Sequence, residues 1–224
     1  MVLNGTPRSG KSSIAAALQE SSEAPWLNLG VDAFAAVTPR RLRPGIGLRP
    51  GGERPDLEDA VVALFGALYA AVVAWSRSGL DVVVDVGHHD DYSTPLGILP
   101  TVAQDLSGLP AYLIGVRCPI EVIMARRDAG TAGGGSSDAG GGRSGTSGTS
   151  GTSGTSGTAR YVTSGADGSV PEVVDRWERA VHDPGLYDLE VDTSTASPEA
   201  CAAAVVRRLS EGPPVAFAAL AARP

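Results

Sequence analysis

The chain has 224 residues, of which 42% are hydrophobic and 19% are charged, and its formal net charge is −7. This length is sufficient for one α/β domain with a sizeable core. The negative charge argues against nucleic acid as a partner, because a phosphate backbone requires a basic surface.

Nothing in the sequence indicates export or membrane insertion. The apolar runs, such as Val82–Val84, are far too short to span a bilayer. Met1–Gly5 lacks a basic segment followed by an apolar run, so we expect no export signal. Cys118 and Cys201 are too few for a disulfide framework and have no metal-ligand spacing. We therefore expect a cytoplasmic protein without a membrane partner, and the sequence leaves open whether it forms homo-oligomers.

Apolar runs alternate with helical patterns along the chain, which predicts a three-layer α/β fold with a five-stranded parallel sheet. The predicted strands are Val2–Asn4, Trp26–Leu29, Asp81–Val86, Ala111–Val116 and Tyr187–Val191. The predicted helices are Lys11–Glu20, Asp56–Ser78, Leu96–Leu106, Pro119–Arg127, Pro171–His182 and Pro198–Ser210. Beyond residue 210 we expect a loosely packed C-terminal tail, residues 211–224.

Two segments interrupt this pattern. Residues 39–55 are rich in proline, glycine and arginine, and we predict a mobile loop on the substrate side. Residues 129–158 are of low complexity, with a Gly-Thr-Ser triplet that repeats from Gly145 onward. Such a segment buries too little apolar surface to offset its ordering entropy, so we predict a disordered insert.

The first predicted strand runs into a Walker A motif, G-x-x-x-x-G-K-[ST], at residues 5–12. Glycine lets backbone N–H groups turn towards phosphates without a Cβ clash. The motif contains Lys11, the single lysine of the chain. We predict that the following residues bind a nucleotide: Gly5, Thr6, Pro7, Arg8, Ser9, Gly10, Lys11, Ser12 and Ser13.

Each polar group of the motif has an expected partner. Lys11 would contact the β- and γ-phosphates, and the Ser12 hydroxyl would ligate Mg²⁺. The expected donor is ATP, with GTP as the alternative. A glycine- and serine-rich turn that matches by chance is the competing interpretation. The preceding strand, the following helix and the solitary lysine argue against it.

Asp32 follows the second predicted strand, at the carboxyl end where parallel sheets bind ligands. There it could act as the general base that accepts a hydroxyl proton. The alternative is a helix N-cap before Ala33–Ala36. A dinucleotide-binding Rossmann interpretation is excluded, because the sequence lacks G-x-G-x-x-G.

Asp85 ends the third apolar run and is the expected acidic partner of Mg²⁺, with a capping or loop carboxylate as the alternative. His88 and His89 follow with Asp90 and Asp91. Adjacent side chains diverge, so this run does not predict a metal site. We predict that the histidines contact substrate, with solvated loop residues as the alternative.

Arg126 and Arg127 precede the repeats, at the end of a predicted helix. We predict that Arg126 is catalytic, stabilising charge on the transferring phosphoryl group, and that Arg127 binds the nucleotide. The alternative is a favourable placement of cations at a helix C-terminus.

Five stretches in this order resemble chloramphenicol phosphotransferase and its relatives, a family of P-loop kinases that phosphorylate the antibiotic with ATP. They are Leu3–Ser12, Trp26–Asp32, Val83–Asp85, Gly115–Pro119 and Tyr187–Ser194. The resemblance implies one P-loop kinase domain over residues 1–210, with Asp32 as general base and Arg126 at a lid. The family continues with further arginines where this chain has repeats, so Arg143 or Arg160 could serve the lid instead.

The resemblance implies phosphorylation of a hydroxyl on an antibiotic-like molecule, which serves antibiotic resistance or self-protection. We expect residues 33–55 and 87–95 to form the acceptor pocket. A kinase for a sugar, nucleoside or nucleotide-sugar, in the style of gluconate kinases or zeta toxins, is the first alternative. A regulatory nucleotide-binding protein without catalysis is an alternative of another class.

Overall fold

The computed structural model describes residues 1–132, 163–165 and 168–223. Its five strands are β1 (Val2–Asn4), β2 (Trp26–Asn28), β3 (Asp81–Val86), β4 (Leu113–Arg117) and β5 (Leu189–Asp192). They pair in parallel, in the order β2-β3-β1-β4-β5. The predicted five-stranded parallel sheet is confirmed, and its central strand β1 leads into the Walker A motif.

Helices connect the strands and cover both faces of the sheet. They are α1 (Lys11–Ser21), α2 (Val31–Val37), α3 (Glu58–Arg77), α4 (Ile98–Asp105), α5 (Ile120–Ala132), α6 (Glu172–Val181), α7 (Pro198–Ser210) and α8 (Ala216–Ala221). Short 3₁₀ turns lie at Arg40–Leu42, Gly45–Gly47 and Pro55–Leu57.

Strand β3 shows how the layers form. Val82, Val84 and Val86 are buried in the core cluster that contains residues of α3, α4 and α8. Val83 is buried in the opposite cluster, with residues of α1 and α7. Because successive strand side chains alternate between faces, a nearly continuous valine run fits a strand that is covered on both sides.

Within the described ranges, α3 is the one helix that is long and apolar enough to cross a membrane. Its residues Val61, Leu68 and Tyr69 are fully buried in the core cluster. We therefore interpret α3 as a core helix, because such helices also satisfy this test of length and composition.

The C-terminal residues pack on the domain, so the prediction of a loosely packed tail is wrong. Phe217 and Leu220 of α8 are buried in the same core cluster as α3. The buried Asp188 carboxylate accepts hydrogen bonds from the backbone N–H groups of Val215 (2.6 Å) and Ala216 (3.1 Å). The C-terminal segment was expected to pack loosely because it is rich in proline. The apolar side chains of α8 nevertheless pack into the core and hold it against the domain.

Residues 39–55 are also more ordered in structure than their composition predicts. Ile46 and Leu48 are buried, with 5% of each exposed, and both belong to the core cluster. The expectation of a mobile loop is corrected, because these two side chains anchor a series of 3₁₀ turns. Helix α5 continues to Ala132, so the first residues of the predicted insert are helical, and residues 133–158 lie outside the described residues.

Candidate active site

The Walker A motif forms a phosphate-sized loop at the end of β1. Arg8 and Gly10 have positive φ values of 77° and 100°, which turn the backbone between the strand and α1. Gly10 is the N-cap of α1, and no side chain caps the first turn. The first N–H groups of the helix and its positive end are therefore available to an anion.

The side chains of the motif take different positions. Pro7, Arg8, Lys11 and Ser12 line a cavity with Gly5, whereas Thr6 and Ser9 are fully buried. Ser13 is exposed on α1 and does not line the cavity, so its contribution to the site is limited to its backbone.

Lys11 lies at the centre of this loop. Its Nζ donates hydrogen bonds to the backbone oxygens of Gly5 (2.8 Å) and Thr6 (2.9 Å). Burial lowers the pKa of Lys11 to about 8, although the nearby carboxylates of Asp85, Glu178 and Asp32 raise it. A phosphate ligand would stabilise the charged form of this amine.

Ser12 and Asp85 form the pair that the sequence predicts for Mg²⁺. The Ser12 hydroxyl donates to Asp85 Oδ2 at 2.5 Å. Burial raises the pKa of Asp85, and this effect outweighs the hydrogen bond from Ser12, which lowers the pKa. Over the described ranges, no group of three or more His, Cys, Asp or Glu side chains could hold a metal ion. A hydroxyl and one carboxylate still suit Mg²⁺, because it keeps waters and binds phosphate oxygens.

The Asp85 carboxylate packs against the start of α2. A Cβ atom on Gly30 would lie 1.3 Å from Asp85 Oδ1, so only glycine fits at this position. Gly30 is also the N-cap of α2, and Asp32 lies inside the first turn. The N-cap alternative for Asp32 is therefore wrong. Asp32 lines the same cavity as Lys11 and Ser12.

The two arginines of α5 have separate positions, because successive helix residues face about 100° apart. Arg126 donates to the backbone oxygens of Arg8 (3.2 Å) and Thr193 (2.8 Å), and it does not line the cavity. It joins the Walker loop to the end of β5, which favours a structural role for Arg126, and its predicted catalytic role stays a prediction. Arg127 donates to Pro7 O at 3.3 Å and lines the cavity. Arg143 and Arg160 lie outside the described residues.

Neither histidine lines the cavity, so the predicted substrate contacts are wrong. His88 is 2% exposed, its Nε2 is 2.6 Å from the Tyr69 hydroxyl, and burial lowers its pKa to about 3. His89 is 5% exposed, and its Nε2 is 2.9 Å from Leu48 O. His89 therefore supports the cavity wall from behind, since Leu48 itself lines the cavity.

The cavity has a volume of about 680 Å³. Its nucleotide side is the Walker loop with Arg127. We call the part that comes from α2, the 3₁₀ segment and α6 the acceptor wall, defined by these residues: Val31, Asp32, Ala35, Ala36, Arg43, Pro44, Ile46, Gly47, Leu48, Arg49, Glu53, Arg54, Val173, Val174 and Trp177. Ten residues of the range 33–55 line the cavity, whereas Gly87 is the one residue of 87–95 that does so, and an acceptor pocket at these residues stays a prediction.

Helix α6 brings residues to the site that the sequence did not reveal. The Thr6 hydroxyl donates to Glu178 Oε2, and burial raises the pKa of Glu178. Trp177, which directly precedes Glu178 in α6, lines the cavity. No local motif marks these residues, since their role depends on a contact with the distant N-terminal loop.

Comparisons with known proteins agree with this geometry. The family model described as chloramphenicol phosphotransferase-like protein matches residues 1–210. No curated protein sequence matches the chain. Among solved structures, the tunicamycin resistance protein of Deinococcus radiodurans aligns with a TM-score of 0.55, 14% identity and 96% coverage of each chain.

Two further structures share the fold. A candidate kinase from Chloroflexus aurantiacus has a TM-score of 0.51 and 16% identity, covering 94% of this chain and 95% of the other. Shikimate kinase from Acinetobacter baumannii, in complex with shikimate, has a TM-score of 0.51 and 12% identity, covering 92% of this chain and 89% of the other. At these identities the likeness establishes the fold alone.

Proposed function

The chain belongs to the chloramphenicol phosphotransferase-like family, and from that premise we propose that it transfers the γ-phosphoryl group of ATP to a hydroxyl of an antibiotic-like molecule. Membership of this family and the P-loop fold make it a small-molecule kinase. The observation that supports the proposal best is that Asp32 and Lys11 line one cavity and lie near enough for the Asp32 charge to raise the pKa of Lys11. We propose that the enzyme is cytoplasmic and that ATP is its donor, with GTP as the alternative.

The donor side would hold the nucleotide through the backbone N–H groups of residues 5–13. Lys11 would exchange its contacts with the Gly5 and Thr6 carbonyls for phosphate oxygens. Ser12 and Asp85 fit Mg²⁺, which when bound neutralises charge on the β- and γ-phosphates. Arg127, rather than Arg126, would stabilise charge on the transferring group, because it is the arginine of α5 that lines the cavity.

On the acceptor side, Asp32 would orient the attacking hydroxyl and accept its proton. The acceptor wall would hold the rest of the molecule and keep water from the phosphoryl group. Because the phosphoryl-transfer transition state needs little covalent help, positioning and electrostatic stabilisation would account for most of the rate.

A screen of hydroxyl-bearing molecules tests the proposal. Antibiotics, sugars, nucleosides and nucleotide-sugars are incubated with enzyme, ATP and Mg²⁺, and each product is examined for the mass of one added phosphate. We expect an antibiotic-like alcohol to give the highest kcat/KM. Preferred turnover of a sugar or nucleoside would replace the antibiotic assignment. ATP binding without transfer to any acceptor would support the regulatory alternative.

A further inference from the structure

The 3₁₀ segment is basic in an acidic protein. Residues 39–55 contain five arginines and one glutamate, although the whole chain has a formal charge of −7. Three of these arginines, Arg43, Arg49 and Arg54, line the same cavity as the Walker loop. They belong to a different segment of the chain, and the Walker loop supplies its own groups for nucleotide phosphates, Lys11 and the first N–H groups of α1.

Two of the three arginines have partners within the protein. Arg54 forms two hydrogen bonds with the Asp56 carboxylate, at 2.8 and 2.7 Å. Arg43 donates from Nε to Thr38 O at 3.1 Å. Both contacts hold the 3₁₀ segment against neighbouring residues and account for these side chains.

Arg49 differs from both. It is half-buried and lines the cavity, and within the described ranges it has no hydrogen bond or ion pair with the protein. Withdrawing a guanidinium from water is costly unless an acceptor replaces the lost hydration. A carboxylate or phosphate matches the fork of N–H donors that arginine presents.

The one acidic residue of the segment, Glu53, also lines the cavity. The negative charge of Glu53 helps to raise the pKa of Arg176, and the Arg176 guanidinium forms an ion pair with Asp91 at 2.6 Å. Asp32 provides the other carboxylate of the acceptor wall. It lies near Lys11 of the Walker loop, a position that suits contact with the attacking hydroxyl of the acceptor. Neither carboxylate is paired with Arg49.

The surroundings of Arg49 define the remainder of the ligand. The acceptor wall is otherwise largely apolar, with side chains such as Val31, Ile46, Leu48 and Trp177. We propose that the acceptor is an alcohol with an apolar body and an anionic group, which Arg49 binds while Asp32 faces the hydroxyl. This inference rests on the proposed function and narrows its substrate class.

Matched probes test the inference. The neutral probe is 3-(hydroxymethyl)benzamide, and the anionic probes are 3-(hydroxymethyl)benzoate and 3-(hydroxymethyl)phenyl phosphate. Their affinities are measured by titration calorimetry or ligand-detected NMR with ADP and Mg²⁺ present, which avoids turnover. We expect at least one anionic probe to bind about tenfold or more tightly than the amide, the size expected for hydrogen bonds to a charged group. The two anions distinguish a carboxylate site from a phosphate site.

Variants assign the effect to Arg49. Arg49→Met should remove the preference for the anion, and Arg49→Lys should keep part of it. Arg41→Met is the matched control, because Arg41 is exposed on the same segment and does not line the cavity. Melting temperatures verify that each variant is folded.

The outcomes separate the two proposals. Equal affinities of the three probes, including no binding of any at millimolar concentration, overturn the inference, as does an equal loss in Arg41→Met. Retention of the anion preference in Arg49→Met also overturns it. If the anion preference depends on Arg49 but no alcohol is phosphorylated, the inference about binding holds and the proposed catalytic function fails.

Discussion

The nucleotide side and the acceptor wall of the cavity are built in opposite ways. The nucleotide side comes mainly from consecutive residues, in which β1, the turn at Arg8 and Gly10, and α1 follow one another. The acceptor wall comes from three separate elements, α2, the 3₁₀ segment and α6. The chemistry of phosphate binding is therefore contained in a local motif, whereas the identity of the acceptor depends on how distant segments pack.

Among the variants that change one side of the cavity for comparison with the other, we expect the largest effect from one that disrupts the nucleotide side. Lys11→Ala should lower kcat/KM by at least about 10²–10³-fold, because a charge that faces developing phosphoryl charge is removed. The melting temperature should change little, since the side chain faces the cavity and not the core. Steady-state kinetics and thermal unfolding provide the measurements.

Ser13→Ala is the control for this variant, because Ser13 is exposed on the same helix and keeps its backbone N–H when substituted. Normal turnover by Lys11→Ala would contradict the assignment of the loop to phosphate binding.

Substitution of the two arginines of α5 tests which of them belongs to the nucleotide side. Arg127→Met should reduce kcat by about 10²-fold, comparable to the loss of one donor at a developing charge. Arg126→Met should mainly lower thermal stability, because it loses its hydrogen bonds to Arg8 and Thr193. Comparison of kcat and melting temperature in the two variants distinguishes these roles, and the opposite pattern would restore Arg126 as the catalytic arginine.

The pH dependence of ATP affinity tests, without mutation, whether Lys11 on the nucleotide side becomes protonated when ATP binds. The pKa of Lys11 is lowered to about 8 in the free protein, and bound phosphates should raise it. Binding should then take up a proton above that pH, so Kd rises by up to about tenfold per pH unit until the pKa of the complex is reached. Below about pH 7 the amine is already charged, and Kd should be nearly constant.

Calorimetry of ATP binding in two buffers with different ionisation enthalpies measures this proton uptake directly. Uptake approaching one proton at about pH 9, and little uptake at about pH 7, is the expected result. The same apparent enthalpy in both buffers at the higher pH would show that Lys11 does not change its protonation on binding.

The smallest expected effect belongs to the acceptor wall. Trp177→Ala should raise the KM of the acceptor by about tenfold, the scale of lost apolar contacts in a binding pocket. The KM of ATP should rise by less, because Trp177 belongs to α6 and is not a residue of the Walker loop. Equal increases in both KM values would show that the two sides are not separable.

The sequence alone was sufficient to predict those parts of the structure that depend on local patterns of residues. All five strands, the Walker loop and six helices were predicted close to their observed bounds, because apolar periodicity and glycine positions are local signals. The positions of Arg126 and Arg127 in the sequence gave no indication of which one faces the cavity, since that depends on how α5 is rotated against the loop.

Residues fixed by distant contacts were predicted less well. His88 follows a strand and is beside acidic residues, yet Tyr69 and Phe65 of α3 enclose it in the core. Glu178 reaches Thr6 from the other end of the chain. No local pattern records such contacts, so these roles could be found only after the fold was known.

Asp32→Asn tests most directly whether the two sides of the cavity act together in phosphoryl transfer. Asparagine preserves the size of the side chain, and the N-cap of α2 is Gly30 rather than Asp32, so folding and ATP affinity should remain close to those of the wild type. The rate of γ-phosphoryl transfer to the best acceptor, measured in a single turnover with saturating ATP, should fall by about 10²–10⁴-fold, the usual contribution of a general base. A variant that binds ATP normally and transfers phosphate at the wild-type rate would contradict the role of Asp32 as the base.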